Sequence, residues 1–71
     1  MALQWSKQVF STMATEIAWD DDLGMIVTWK NGRRSLYAGV SQEVADEVAR
    51  APSVGTALNT DIKPNYSHRY L

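Results

Sequence analysis

The sequence predicts an α+β domain, with a small antiparallel sheet followed by one main helix and a short second helix. Three observations carry that reading. Residues 13–38 hold runs of alternating apolar and polar character, broken by Asp20-Asp21-Asp22-Leu23-Gly24 and by Asn31-Gly32. Residues 41–51 change to the period of an amphipathic helix. The strands come first and the helices after, an order that places helices on one face of an antiparallel sheet. Three strands are predicted, and the first residues of the chain are candidates for a fourth.

Residues 1–8 read as an arm in which Leu3 and Trp5 are the apolar positions. The period of two sharpens from Phe10. Met13, Thr15, Ile17 and Trp19 alternate with Thr12, Ala14, Glu16 and Ala18, as in a half-buried strand. The Asp triplet with Leu23-Gly24 is a turn, because Asp side chains bond nearby backbone and Gly permits positive φ. The second strand puts Met25, Val27 and Trp29 on one face and Ile26, Thr28 and Lys30 on the other. Asn31-Gly32 predicts a two-residue type I′ hairpin, whose central positions both need positive φ. The third strand, residues 33–38, returns with Ser35 and Tyr37 on one face and Arg34 and Leu36 on the other.

Ser41 is a good N-cap for a helix over 42–50. Val44, Val48 and Ala51 form its apolar stripe, flanked by Ala45 and Ala49. Glu43, Asp46 and Glu47 lie early and Arg50 late, which suits the helix dipole. Pro52 disfavours a helical Ala51 and ends it. Ser53 can cap a second short helix over 54–58, with Asn59 as its stop. Ile62, Tyr66, Tyr70 and Leu71 then anchor an irregular segment whose last residues, 68–71, read as a tail.

A chain of 71 residues makes a single domain, here placed at residues 9–67. A domain of this size buries roughly 60% of its unfolded surface and is marginally stable. It has no cysteine for a disulfide and no His/Cys clustering suited to zinc. Three Trp, three Tyr and one Phe supply a dense core instead, and self-association is the other common remedy. The net charge of −1 carries no global basic excess of the kind nucleic-acid binders show. With neither a membrane-length apolar run nor a signal-peptide pattern, a cytoplasmic setting and no membrane partner are expected.

The spacings Met25-x-Val27-x-Trp29-x-x-Gly32, Tyr37-x-x-Val40 and Ala51-x-Ser53-x-Gly55-x-x-x-Asn59-x-x-Ile62-x-x-x-Tyr66 resemble the KTSC domain. Ser11-Thr12 and Ile17-x-Trp19-Asp20 are similar to that family's opening strand. KTSC is a short bacterial and phage domain, named for the C-terminus of some lysyl-tRNA synthetases and found also as free-standing proteins. The resemblance spans roughly residues 9–67. It implies a compact α+β fold, and the synthetase attachment suggests RNA binding. Ser35 stands where the family has the first aromatic of a Tyr-x-Tyr pair, and Ser41 where a Pro is common.

Catalysis has little material here. There is no Cys, and the one His, His68, lies in the expected tail. Asp20-Asp21-Asp22 lacks the spaced oxygens and distant Glu of a calcium loop, so no metal is expected. The glycines make no phosphate-cradling loop. The expectation is a non-catalytic binding module without cofactor, most simply a protein-interaction or accessory protein of bacterial or phage origin. Leu3 and Trp5 in the arm, with Ile26 and Leu36 on a sheet face that needs a cover, are the candidate protein interface for an unidentified partner or a second copy. The alternative is weak RNA binding through Lys30, Arg33, Arg34, Lys63 and Arg69. In that case the segment bearing Tyr66, His68 and Tyr70 folds beside the hairpin tip to make one basic, aromatic surface.

Overall fold

A computed structural model of the chain describes residues 3–71, with Leu3 described by its backbone alone. Five strands, β1 (Leu3–Gln8), β2 (Ala14–Asp20), β3 (Gly24–Trp29), β4 (Arg34–Ala38) and β5 (His68–Tyr70), form one antiparallel sheet in the order β1-β2-β3-β4-β5. Between β4 and β5 the chain leaves the sheet for α1 (Gln42–Arg50) and α2 (Val54–Ala57), and α2 runs on into a π-helical turn (Leu58–Ile62).

The helices cover one face of the sheet. Ile17, Met25 and Val27 from the strands meet Ala45 and Val48 of α1 and Leu58 and Ile62 of the π turn, all nearly inaccessible to solvent. Trp19 closes the layer by donating its indole N–H to the Val40 carbonyl at 2.9 Å, so the ring is partly buried without orphaning its one polar atom. The Ser41 hydroxyl accepts from the Val44 N–H, and Ala51 takes extended backbone before Pro52. Both ends of α1 are thus where the cap and the proline put them. At Gly24 the backbone has φ +123°, and a Cβ there would stand 2.4 Å from the Tyr37 carbonyl oxygen. Only glycine allows β3 and β4 to approach that closely.

Several elements depart from the sequence expectation. The arm is strand β1, the fourth strand it was a candidate for, whereas residues 68–71, expected as a tail, carry strand β5 beside β4. The sheet therefore has five strands rather than three or four. The period of two predicted for β2 slips at a bulge between Ala14 and Glu16, where two residues oppose one. Ala14 turns into the core in place of Thr15, which is exposed. The Asn31-Gly32 hairpin is not type I′, since only Gly32 has positive φ (+88°). Gly32 N–H donates to the Trp29 carbonyl and Trp29 N–H to the Arg33 carbonyl. This is a three-residue loop with a left-handed glycine, the next most favoured hairpin solution. The Asn31 carboxamide oxygen stabilises it by accepting from Arg33 N–H. Helix continues past Asn59, because Leu58 and Ile62 sit four apart and both need the core; the Lys63 N–H reaches back five residues to the Leu58 carbonyl to close the widened turn.

The second sheet face is already closed. Ala18, Ile26 and Leu36 pack together with Leu23, and Ile26 and Leu36 are only 6% and 3% exposed. Ile26 and Leu36, expected to need an outside cover, are thus already buried among side chains of this chain. Among the described residues no helix is long and apolar enough to cross a membrane.

Candidate nucleic-acid interface

The helices end before they reach the β4–β5 side of the sheet, and a cleft of about 570 Å³ opens there. Its floor is sheet. Trp29 closes β3, Tyr37 lies on β4, and His68 and Tyr70 lie on β5, in register with Tyr37 and Ser35 respectively. The walls are the hairpin tip, with Lys30, Asn31 and Arg33, and Lys63 at the end of the π turn. Met13 completes the lining. Three cations therefore converge on one cleft of a chain whose net charge is −1, and among the described residues no carboxylate lines it.

The rings are held from below. Trp29 donates its indole N–H to the Ser35 hydroxyl at 2.7 Å, and His68 Nε2 lies 3.1 Å from the same oxygen. Ser35 is fully buried, so this oxygen is a fixed hub between two rings. Above it, His68 stacks obliquely on Tyr37 (centroids 5.3 Å, 32°) and meets Tyr70 edge-on (4.8 Å, 82°). The cations rest on the aromatics: the Arg33 guanidinium lies 5.0 Å from the Tyr70 centroid and Lys63 Nζ 5.4 Å from that of Trp29. Burial, and then the neighbouring Tyr70 phenol, hold the Tyr37 phenol above its ordinary titration range, so it stays a neutral hydroxyl.

Of the cations singled out in the sequence, Lys30, Arg33 and Lys63 line the cleft. Arg34 and Arg69 do not. Arg34 pairs with Thr28 and Arg69 with Leu36, which places both on the opposite face of the sheet, so the predicted set of five divides three to two. The expected protein-interface residues divide too: Ile26 and Leu36 are cross-strand neighbours on one face, and Trp5 lies on the other. Trp5 is partly buried against the core with Lys7 over its ring, Ile26 and Leu36 are buried, and the Leu3 side chain lies outside the described residues.

A profile of the KTSC domain matches residues 10–66, most of the chain. The chain belongs to the KTSC domain family. A crystal structure of a KTSC domain protein from Yersinia pestis superposes with a TM-score of 0.86 at 22% identity, covering 99% of each chain. At that identity the likeness is one of fold. No curated protein matches the sequence.

Within this KTSC chain, Ser35 changes what the floor of the cleft can do. Its small side chain ties Trp29 and His68 to one buried oxygen. Trp29 packs against the core as expected and also reaches the cleft, whereas His68, expected in a tail, lies on β5; the strand period of 68–70 is the available signal, and three residues are too few to read it. The Ser35–His68 contact has the look of a nucleophile and its base, but the Ser35 oxygen is sealed from solvent and engaged by Trp29. At the opposite end of the sheet, the carboxylate oxygens of Asp20, Asp21 and Asp22 lie within 4.8 Å of one another. Asp20 Oδ1 accepts from the Asp22 and Leu23 N–H groups at 2.8 and 3.1 Å, which is the work of a turn.

Proposed function

We propose that this KTSC domain is a non-catalytic module of the cytoplasm that binds RNA weakly in the β4–β5 cleft. The observation that carries the reading is the meeting of Lys30, Arg33 and Lys63 with Trp29, His68 and Tyr70 in one cleft that, among the described residues, no carboxylate lines. Cations there contact phosphates, and rings offer faces for unpaired bases. With the two phosphates that flank one nucleotide engaged on a single strand, log affinity should fall against log salt with a slope of about −1.4. A salt titration of binding to single-stranded RNA measures it. Alanine at Lys30, Arg33 and Lys63 should flatten the slope, while alanine at Arg34 and Arg69 should leave it unchanged. Equal effects from both sets, or no retention of RNA at low salt, would remove the cleft from consideration.

Phe10 favours a second reading. It is 99% exposed in the β1–β2 connection, beside a groove lined by Pro52, Val54 and Thr56 of the α1–α2 region. A ring held wholly in water is a candidate anchor for self-association. Sedimentation of the protein against Phe10→Ser tests it: a concentration-dependent rise in mass that the substitution abolishes supports a dimer, and a monomer in both rules it out.

A further inference from the structure

We propose that the cleft selects one unpaired nucleotide unit of a strand, and that the two cation–ring pairs are the selecting device. The proposal rests on the RNA-binding reading above and deepens it. In the free protein the ring faces are already taken, Tyr70 by Arg33 and Trp29 by Lys63. Contacts of this kind are weak at solvent-exposed sites. A phosphate entering the cleft gives each cation a stronger, charged partner and draws it off its ring. Tyr70, which is 58% exposed on the edge strand, then presents a free face to a base.

The exchange favours a ligand that brings both groups. A polyanion without a ring trades cation–ring contacts for ion pairs and leaves apolar faces in water. A neutral aromatic must push the cations aside with nothing to receive them. A nucleotide satisfies cation and ring together. A duplex can offer only its phosphates, because its bases are paired and stacked and must be extruded at a cost before a side chain can stack on them.

The cleft also limits the length that is read. Its volume of about 570 Å³ is that of a small-ligand site rather than of an extended track. It is bounded by Asn31 at the hairpin tip and by Lys63 at the end of the π turn. Tyr37 and His68 form the back wall, with His68 held to the buried Ser35 oxygen while β5 is docked.

The test uses the full chain and four probes: an eight-nucleotide single-stranded RNA, a duplex RNA of the same length, uridine monophosphate, and tripolyphosphate. Fluorescence anisotropy of the labelled strand gives affinity, and the small probes are read by competition. The single strand should bind about tenfold or more tightly than the duplex. Tyr70→Ala should lose about tenfold of single-strand affinity, in the range measured for one stacked base, and lose none toward tripolyphosphate. Tyr70→Phe, which keeps the ring, should bind the strand as the unaltered chain does, and uridine monophosphate should displace the strand. Unchanged tripolyphosphate binding also reports that Tyr70→Ala is folded. Equal affinity for strand and duplex, no effect of Tyr70→Ala, or no competition by uridine monophosphate would overturn the selection proposal while the cations still bind anions. Failure of every probe to bind would overturn the RNA reading with it.

Discussion

The helix-covered face of the sheet has two halves that share strands but not chemistry. Toward β1 and β2, helix fills the space above the sheet, and Ile17, Met25 and Leu58 are sealed. The cations there are neutralised: Lys7 of β1 and Arg50 of α1 converge on Asp46, at 2.7 and 3.0 Å. Toward β4 and β5 the helices stop short. Trp29, His68 and Tyr70 are left within reach of solvent, and Lys30, Arg33 and Lys63 rest on rings or face the cleft instead of pairing with acids. One half spends its charges on holding secondary elements together, and the other leaves them available. The difference teaches where to look in a small domain: at cations that the fold itself has not neutralised.

Substitutions should separate the halves. Leu58→Ala, in the covered half, removes a fully buried side chain and should cost about 3 kcal/mol. For a domain of this size that lowers Tm by more than ~10 °C, measurable by circular dichroism. Ser35→Ala, under the open half, leaves the Trp29 indole N–H without its acceptor and should cost about 1–2 kcal/mol. It should also loosen His68, seen as broadened or shifted imidazole resonances. Alanine at Lys30, Arg33 and Lys63 together should move Tm by no more than ~2 °C, since exposed cations away from structural partners contribute little to folding; a large drop would mean that the open half is structural after all.

The smallest effect belongs to Asp46. The hydrogen bond from Lys7, reinforced by the charge of Arg50, holds its carboxyl below the ordinary carboxylate range. A carboxyl depressed in the folded state stabilises the fold above its unfolded value, and that contribution is lost as pH falls through the folded value. The chain should therefore lose a small increment of stability from about pH 4 downward. Asp46→Asn should remove that part of the slope in an acid denaturation series.

Much of this was legible in the sequence because the signals were local. Ser41, Pro52 and the 3.6-residue period delimited α1, and alternation from Met25 to Trp29 placed β3 with its correct faces. What escaped depended on contacts distant in the chain. The bulge at Ala14–Glu16 is set by how β2 meets Trp29 of β3, not by any residue type in β2 itself. Continuation of helix through Asn59 to Ile62 follows from burial of Leu58 and Ile62 against strands some thirty or more residues earlier. In the site, the residue types were visible at the hairpin tip, whereas the assignment of Arg34 and Arg69 to the far face required the strand register. His68 and Tyr70 became site residues only when a segment too short for its strand period to be read found an edge on β4.

That late edge has a consequence for how the site is made and lost. The hairpins β2–β3 and β3–β4 close over short loops, but β5 joins β4 only after some thirty intervening residues have been folded onto the sheet. Its three ladder positions can open by local fraying at far lower free energy than the global transition. Amide hydrogen exchange should then show β5 among the fastest strands while β3 exchanges only through complete unfolding. The cleft would be present in a fraction of folded molecules set by that opening equilibrium, so a ligand gripping Tyr70 would tighten the edge strand, and its apparent affinity would be tuned by sequence changes that touch only the docking of β5.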